Sequence, residues 1–168
     1  MEKIRSISGL LSRKVLVAYY SKGGNTRTVA ERLSKSLDTD LDEIKLGSTK
    51  GSTKVKFVKD PSEYDLVIVG TPVNGFKPSK PVTEYLMMNR GKFREIATYA
   101  TYSLWPAGTL DKMTEFASKQ PIASATFKSR EIKLDQIDGK LSAYVESVKK
   151  RFKRTNSARV ETSPIRGE

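Results

Sequence analysis

The sequence predicts an α/β domain: a five-stranded parallel sheet, doubly wound by helices, with strand order 2-1-3-4-5. Three observations carry that expectation. Residues 14–20, 64–71 and 95–102 are continuous runs rich in apolar and β-branched side chains, as in strands covered on both faces. Amphipathic helical stripes alternate with them. The first of these strands runs into a glycine turn that opens a helix, which is where this class of fold places a ligand loop.

The elements follow in order. The run 14–20 (KVLVAYY) is the first strand, and Ser21-Lys22-Gly23-Gly24-Asn25-Thr26 is its loop. Val29, Leu33 and Leu37 recur four residues apart, with Ala30 beside them, so a helix follows, opened by Asn25 or Thr26. Residues 42–46 read as a short second strand. Residues 47–56 (GSTKGSTKVK) read as a flexible loop, with a helix missing or irregular before the third strand at 64–71. A loop rich in Pro, Gly and Lys leads to a helix at about 80–89. The fourth strand is 95–102. It is followed by a Ser-Leu-Trp-Pro-Ala-Gly loop and a helix at 109–119 presenting Leu110, Met113, Phe116 and Ala117. Residues 122–132 read as the last strand, with Pro121 as its start signal. The last helix, from Gly139 to about Phe152, carries Leu141, Tyr144, Val145, Val148 and Phe152 on one stripe.

Composition narrows the chemistry. The chain of 168 residues is one domain by length and contains neither His nor Cys. Imidazole bases, thiolate nucleophiles, zinc fingers and disulfides are therefore excluded. Chemistry must come from carboxylates, lysines, hydroxyls, backbone groups or a borrowed cofactor. The net charge is +12, and eight of those charges fall in residues 1–14 and 149–168. The chain divides into a basic extension at 1–13, a folded domain at 14–153 and a basic, disordered tail at 154–168. Such ends read either as solvated termini or as phosphate-binding segments. No apolar run approaches the length of a membrane span or a signal peptide, so a cytoplasmic protein is expected.

Three loops leave the carboxyl ends of the first, third and fourth strands and surround the switch point of the sheet. In the first, Gly23 and Gly24 allow a tight turn that aims N–H groups at an anion. Ser21, Asn25 and Thr26 add short polar side chains, Lys22 and Arg27 add charge, and the following helix points its positive end at the same place. The loop after the third strand is Gly70-Thr71-Pro72-Val73-Asn74-Gly75-Phe76-Lys77-Pro78-Ser79. The loop after the fourth is Thr101-Tyr102-Ser103-Leu104-Trp105-Pro106-Ala107-Gly108 and holds the only Trp of the chain. Each of these aromatic rings reads either as a stacking surface or as a side chain folded back over the sheet.

Taken together, the three loops resemble those of the flavodoxin-like family of FMN-binding electron carriers and quinone reductases. Residues 21–26 resemble the family's phosphate loop, Ser/Thr-x-Thr-Gly-Asn-Thr, with Gly23 where a Thr is usual. Residues 70–79 resemble its flavin loop, which implies ring contacts from the backbone of Thr71, Pro72, Val73, Asn74, Gly75 and Phe76. The loop 101–108 implies contacts from Thr101, Tyr102, Ser103, Trp105 and Gly108, with Tyr102 the better stacking candidate and Trp105 next. The resemblance covers residues 14–152 and matches the short-chain form, with no large insertion in the last strand.

The resemblance implies FMN as cofactor and electron transfer as function, with no catalytic residue and no metal. A flavin needs neither His nor Cys. The chain departs from acidic flavodoxins in lacking Asp and Glu across 70–80 and 99–110, while Lys77 and Lys80 are present. A less negative potential follows as an expectation. So do redox partner proteins with acidic docking surfaces, or an anionic membrane or quinone, rather than nucleic acid. The alternatives are an FMN-dependent NAD(P)H:quinone-type oxidoreductase and a flavin-free module whose basic termini bind nucleic acid or anionic membrane.

Overall fold

The structure, a computed structural model, describes residues 13–49 and 52–162. The expected basic extension, Arg13 apart, and the end of the expected tail, 163–168, lie outside the described residues.

Strand β1 (Val15–Tyr19) alternates its side chains between two cores. Leu16 and Ala18 enter one, Val17 and Tyr19 the other, and all four are buried. Helix α1 (Asn25–Leu37) buries Val29, Ala30 and Leu33 against the Val17 side. Strand β2 (Asp40–Glu43) pairs parallel with β1, Leu16 facing Asp40. Strands β3 (Lys45–Thr49) and β4 (Ser52–Lys56) then form an antiparallel hairpin. This corrects two sequence expectations. The second strand ends at Glu43 rather than at residue 46, and residues 47–49 and 52–56 of the expected flexible loop are paired strand. Ile44, Val55 and Phe57 explain why: they pack into the Leu16 core, with Phe57 edge-on to Tyr85 at 5.1 Å. The hairpin covers sheet surface that a helix would otherwise cover.

A short 3-10 turn, Pro61–Glu63, leads into strand β5 (Leu66–Asn74), which pairs with β1. The two-residue strand β6 (Lys77–Pro78) folds back on β5. Helix α2 (Lys80–Met88), strand β7 (Ile96–Tyr102) and helix α3 (Thr109–Ala117) follow. Strand β8 (Ser124–Lys128) is shorter than the expected 122–132, because helix α4 (Ser129–Lys133) begins there and buries Ile132. Helix α5 (Asp138–Thr162) runs ten residues past the Phe152 end marked by the stripe, so residues 154–162 of the expected disordered tail are helical backbone.

The five parallel strands lie in the order β2-β1-β5-β7-β8. Counting parallel strands only, this is the expected 2-1-3-4-5. Helices α1 and α5 cover one face and α2, α3 and the β3-β4 hairpin the other. Every residue of β5 from Leu66 to Thr71 is buried, which is the physical meaning of an unbroken apolar run in the sequence. Among the described residues no helix is long and apolar enough to cross a membrane.

Candidate functional site

The carboxyl ends of β1, β5 and β7 lie side by side, because β1 pairs with β5 and β5 with β7, Gly70 bridging Tyr19 on one side and Tyr99 on the other. The three loops therefore converge on one edge of the sheet.

The loop after β1 turns at Gly24, whose φ of 93° is the left-handed conformation that glycine adopts without strain. Nothing stands within contact distance of a Cβ built at Gly23 or Gly24, so the backbone is open to an approaching group. Ser21 Oγ accepts hydrogen bonds from the N–H groups of Gly24 (3.1 Å) and Arg27 (3.3 Å). It is the side chain that shapes the turn. Asn25 and Thr26 open α1, where no helical carbonyl can accept their N–H groups, and the first turn carries no acid. Lys22 and Gly23 are exposed; Ser21, Gly24 and Asn25 are half-buried.

Two expected contributors to this loop are engaged elsewhere. Thr26 is buried, and its hydroxyl is paired with the buried Thr101 hydroxyl at 2.8 Å. Arg27 holds Glu43 at 2.6 Å, and its guanidinium is kept protonated above its ordinary range by hydrogen bonds to Tyr19 and Glu43. Lys22 is left as the cation of the loop. One residue outside the loops supports it: the buried Tyr99 donates its hydroxyl to the Thr26 carbonyl at 3.0 Å. Burial pushes the Tyr99 hydroxyl well up in pKa, so it stays a donor. A Cβ at Gly70 would overlap the Tyr99 ring, so glycine is required beneath it.

The loop after β5 is a hairpin that projects past the sheet. Asn74 pairs with Lys77, leaving Gly75 and Phe76 as a two-residue turn with φ of 59° and 64°. Those are the positive values of a type I′ turn. Phe76 is an L-residue held left-handed and 61% exposed. The buried Thr71 anchors the hairpin: its hydroxyl accepts from the Ser79 N–H at 3.0 Å and lies 3.1 Å from the Ser79 hydroxyl. Thr71 thus acts structurally through its side chain. Pro72 and Val73 are half-buried, Asn74 and Gly75 exposed. Lys80 lies 4.0 Å from Glu84, leaving Lys77 as the cation of the projecting turn.

In the loop after β7, Leu104 is 88% and Trp105 65% exposed. Tyr102 is half-buried; Ser103 and Gly108 are exposed. The left-handed position falls on Ala107 (φ 48°), and Gly108, the residue named from sequence, has an ordinary negative φ. Sequence reasoning missed Tyr99, Ser79, Gly70 and Leu104 as contributors. Tyr99 had a signal: a Tyr in a strand buried on both faces needs a partner for its hydroxyl.

The arrangement joins an open backbone turn at the start of α1 to a pair of loops bearing Phe76, Leu104 and Trp105 in solvent. The model of the flavodoxin domain family matches residues 16–126, more than half of the chain, and the chain belongs to that family. Among solved structures it is similar to a flavoprotein from Lactobacillus acidophilus NCFM in complex with FMN. Identity there is 21%, over 74% of this chain and 98% of that one, with a TM-score of 0.61. It is also similar to a flavodoxin, a WrbA-like protein, from Agrobacterium tumefaciens (14% identity, 83% and 99% covered, TM-score 0.54). A third is the Trp repressor binding protein from Bacillus subtilis (16%, 79% and 99%, 0.54). At these identities the likeness is one of fold. None of the curated proteins matches the chain.

Proposed function

We propose that this chain binds FMN at the carboxyl edge of its sheet and passes electrons between partner proteins. The observation that carries the reading is the convergence of an open Gly23-Gly24 turn at the start of α1 with the exposed Phe76 and Trp105 rings of the neighbouring loops. The donor set fits the cofactor. Backbone N–H groups and a helix N-terminus suit a phosphate, with Lys22 adding charge. Phe76, Leu104 and Trp105 suit a flat apolar ring system. When bound, the flavin supplies the redox chemistry. The protein's part is to bind, orient and tune. Ser21 and the Tyr99–Thr26 bond fix the turn, Thr71 and Ser79 fix the hairpin, and the aromatic rims limit water at the ring.

Titration of the purified chain with FMN, followed by flavin fluorescence, tests the binding. Saturable quenching at one equivalent supports it, and no binding overturns it. NAD(P)H consumption with a soluble quinone separates the two redox readings. Turnover favours an oxidoreductase; its absence, with reduction by a partner protein, favours a carrier. The rim is basic, so the reduced anionic ring is disfavoured less than beside acids. Potentiometry of Lys77→Glu therefore shows a more negative potential than the native chain, and an unchanged value sinks the charge argument.

A further inference from the structure

The other concentration of charge lies at the opposite end of the molecule. Arg13 precedes β1, and Arg151 of α5 donates to the Ile122 carbonyl ahead of β8 at 3.0 Å. This part of α5 therefore sits at the amino edge of the sheet, away from the three loops. From Ser147 to Val160 the sequence has no acid. Lys149, Lys150, Lys153 and Arg154 are exposed. At about 100° per residue they fall within an arc of about 140°, and the buried Leu141, Val145, Val148 and Phe152 occupy the other side. The Arg13 guanidinium lies 5.0 Å from the centre of the Phe152 ring. Among the described residues, Arg13, Lys149, Lys150 and Lys153 line a concavity of about 530 Å³ with Phe152 and Glu146. Glu146 is 3.8 Å from Lys149.

We propose that this pole docks on an anionic lipid surface, leaving the loops turned toward soluble partners. The partner's chemistry follows from the shape of the patch. A DNA major groove takes in a whole helix. Here the helix packs on the sheet as far as Phe152 and offers one side only. Binding of single strands needs exposed rings for base stacking, and Phe152 is buried. A bilayer surface asks for nothing more than a one-sided cluster of cations held at headgroup level. The exposed side chains of the patch are all charged, so the docking is electrostatic, reversible and sensitive to salt.

The test uses the full chain, with and without FMN, and vesicles of phosphatidylglycerol in phosphatidylcholine beside vesicles of phosphatidylcholine alone. Cosedimentation at low salt shows binding to the anionic vesicles only, lost as salt rises. The variant K149Q/K150Q/K153Q loses roughly a hundredfold in partition coefficient. An equal charge change on the β3-β4 hairpin, K45Q/K54Q/K56Q, leaves it within a few-fold. Thermal melts and FMN titration show that the triple variants are folded. Should the first fail to fold, Lys150→Gln alone loses about fivefold. Absence of binding to anionic vesicles, equal losses in the two triple variants, or tighter binding to duplex DNA at equal phosphate concentration each overturns the proposal.

Discussion

The loop after β1 and the two that follow β5 and β7 are built from different materials. The turn at Ser21–Thr26 is organised by hydrogen bonds: Ser21 to two N–H groups, Thr26 to Thr101, Tyr99 to the Thr26 carbonyl. Its left-handed residue is a glycine, which bears no strain there. The loops after β5 and β7 have left-handed positions too, but these are filled by Phe76 and Ala107, and large apolar groups stand in solvent beside them. Among the described residues, the other three non-glycine positions with positive φ, Asp38, Ser118 and Asp135, lie at helix ends, where the conformation terminates a helix. Strain outside helix ends is thus confined, in the described residues, to the two loops that hold the exposed rings. In the proposed function, a preorganised backbone would capture the anion, and surface that the fold has left uncovered at a cost would capture the ring system.

The sharpest way to break this comparison is at the residue that both regions share. Gly70→Ala drives a methyl group into Tyr99, whose ring is tethered to the loop after β1. It should lower stability by about 3 kcal/mol in urea unfolding and weaken FMN binding as well. Next in size is Gly24→Ala, which forces an L-residue into the left-handed region. A loss of roughly 1–2 kcal/mol in stability is expected, with a drop in affinity measured equally for FMN and for inorganic phosphate. Trp105→Ala tests the other side. Loss of ring contact worth about 1 kcal/mol should weaken FMN roughly fivefold and leave thermal stability unchanged. The smallest and most diagnostic effect is Phe76→Gly. Relief of the left-handed strain should raise stability by about 1 kcal/mol, while FMN affinity falls. A Phe76→Gly chain that is neither more stable nor weaker in binding would remove the contrast between the loops.

Much of the fold was legible because burial on both faces leaves an unmistakable composition. Leu66, Val67, Ile68 and Val69 sit in a row because no position of that strand meets water. The β3-β4 hairpin was not legible. Its sequence, GSTKGSTKVK, carries turn residues throughout, and only Val55 and Phe57 signal burial, against Tyr85 some thirty residues on. The start of α4 was missed for a related reason: Lys128 and Ser129 read on as strand, and what ends β8 is the burial of Ile132. At the site, Ser21, Gly24 and Trp105 could be named from local pattern. The pairing of Thr26 with Thr101, and of Arg27 with Glu43, could not, since each joins residues with no relation in sequence.

By itself, then, the amino-acid sequence determined which segments are buried strands, which loops flank the switch point, and that any redox chemistry must be borrowed, since His and Cys are absent. Those properties are set by composition and short-range spacing. Which hydroxyls are free for a ligand, which arginine is already neutralised, which residues carry left-handed strain, and that the basic end of α5 lies opposite the three loops were decided by tertiary structure alone. The physical reason is that hydrogen bonding and electrostatics depend on distance in space. The chain's path through the β2-β1-β5-β7-β8 sheet is what brings the distant residues within reach.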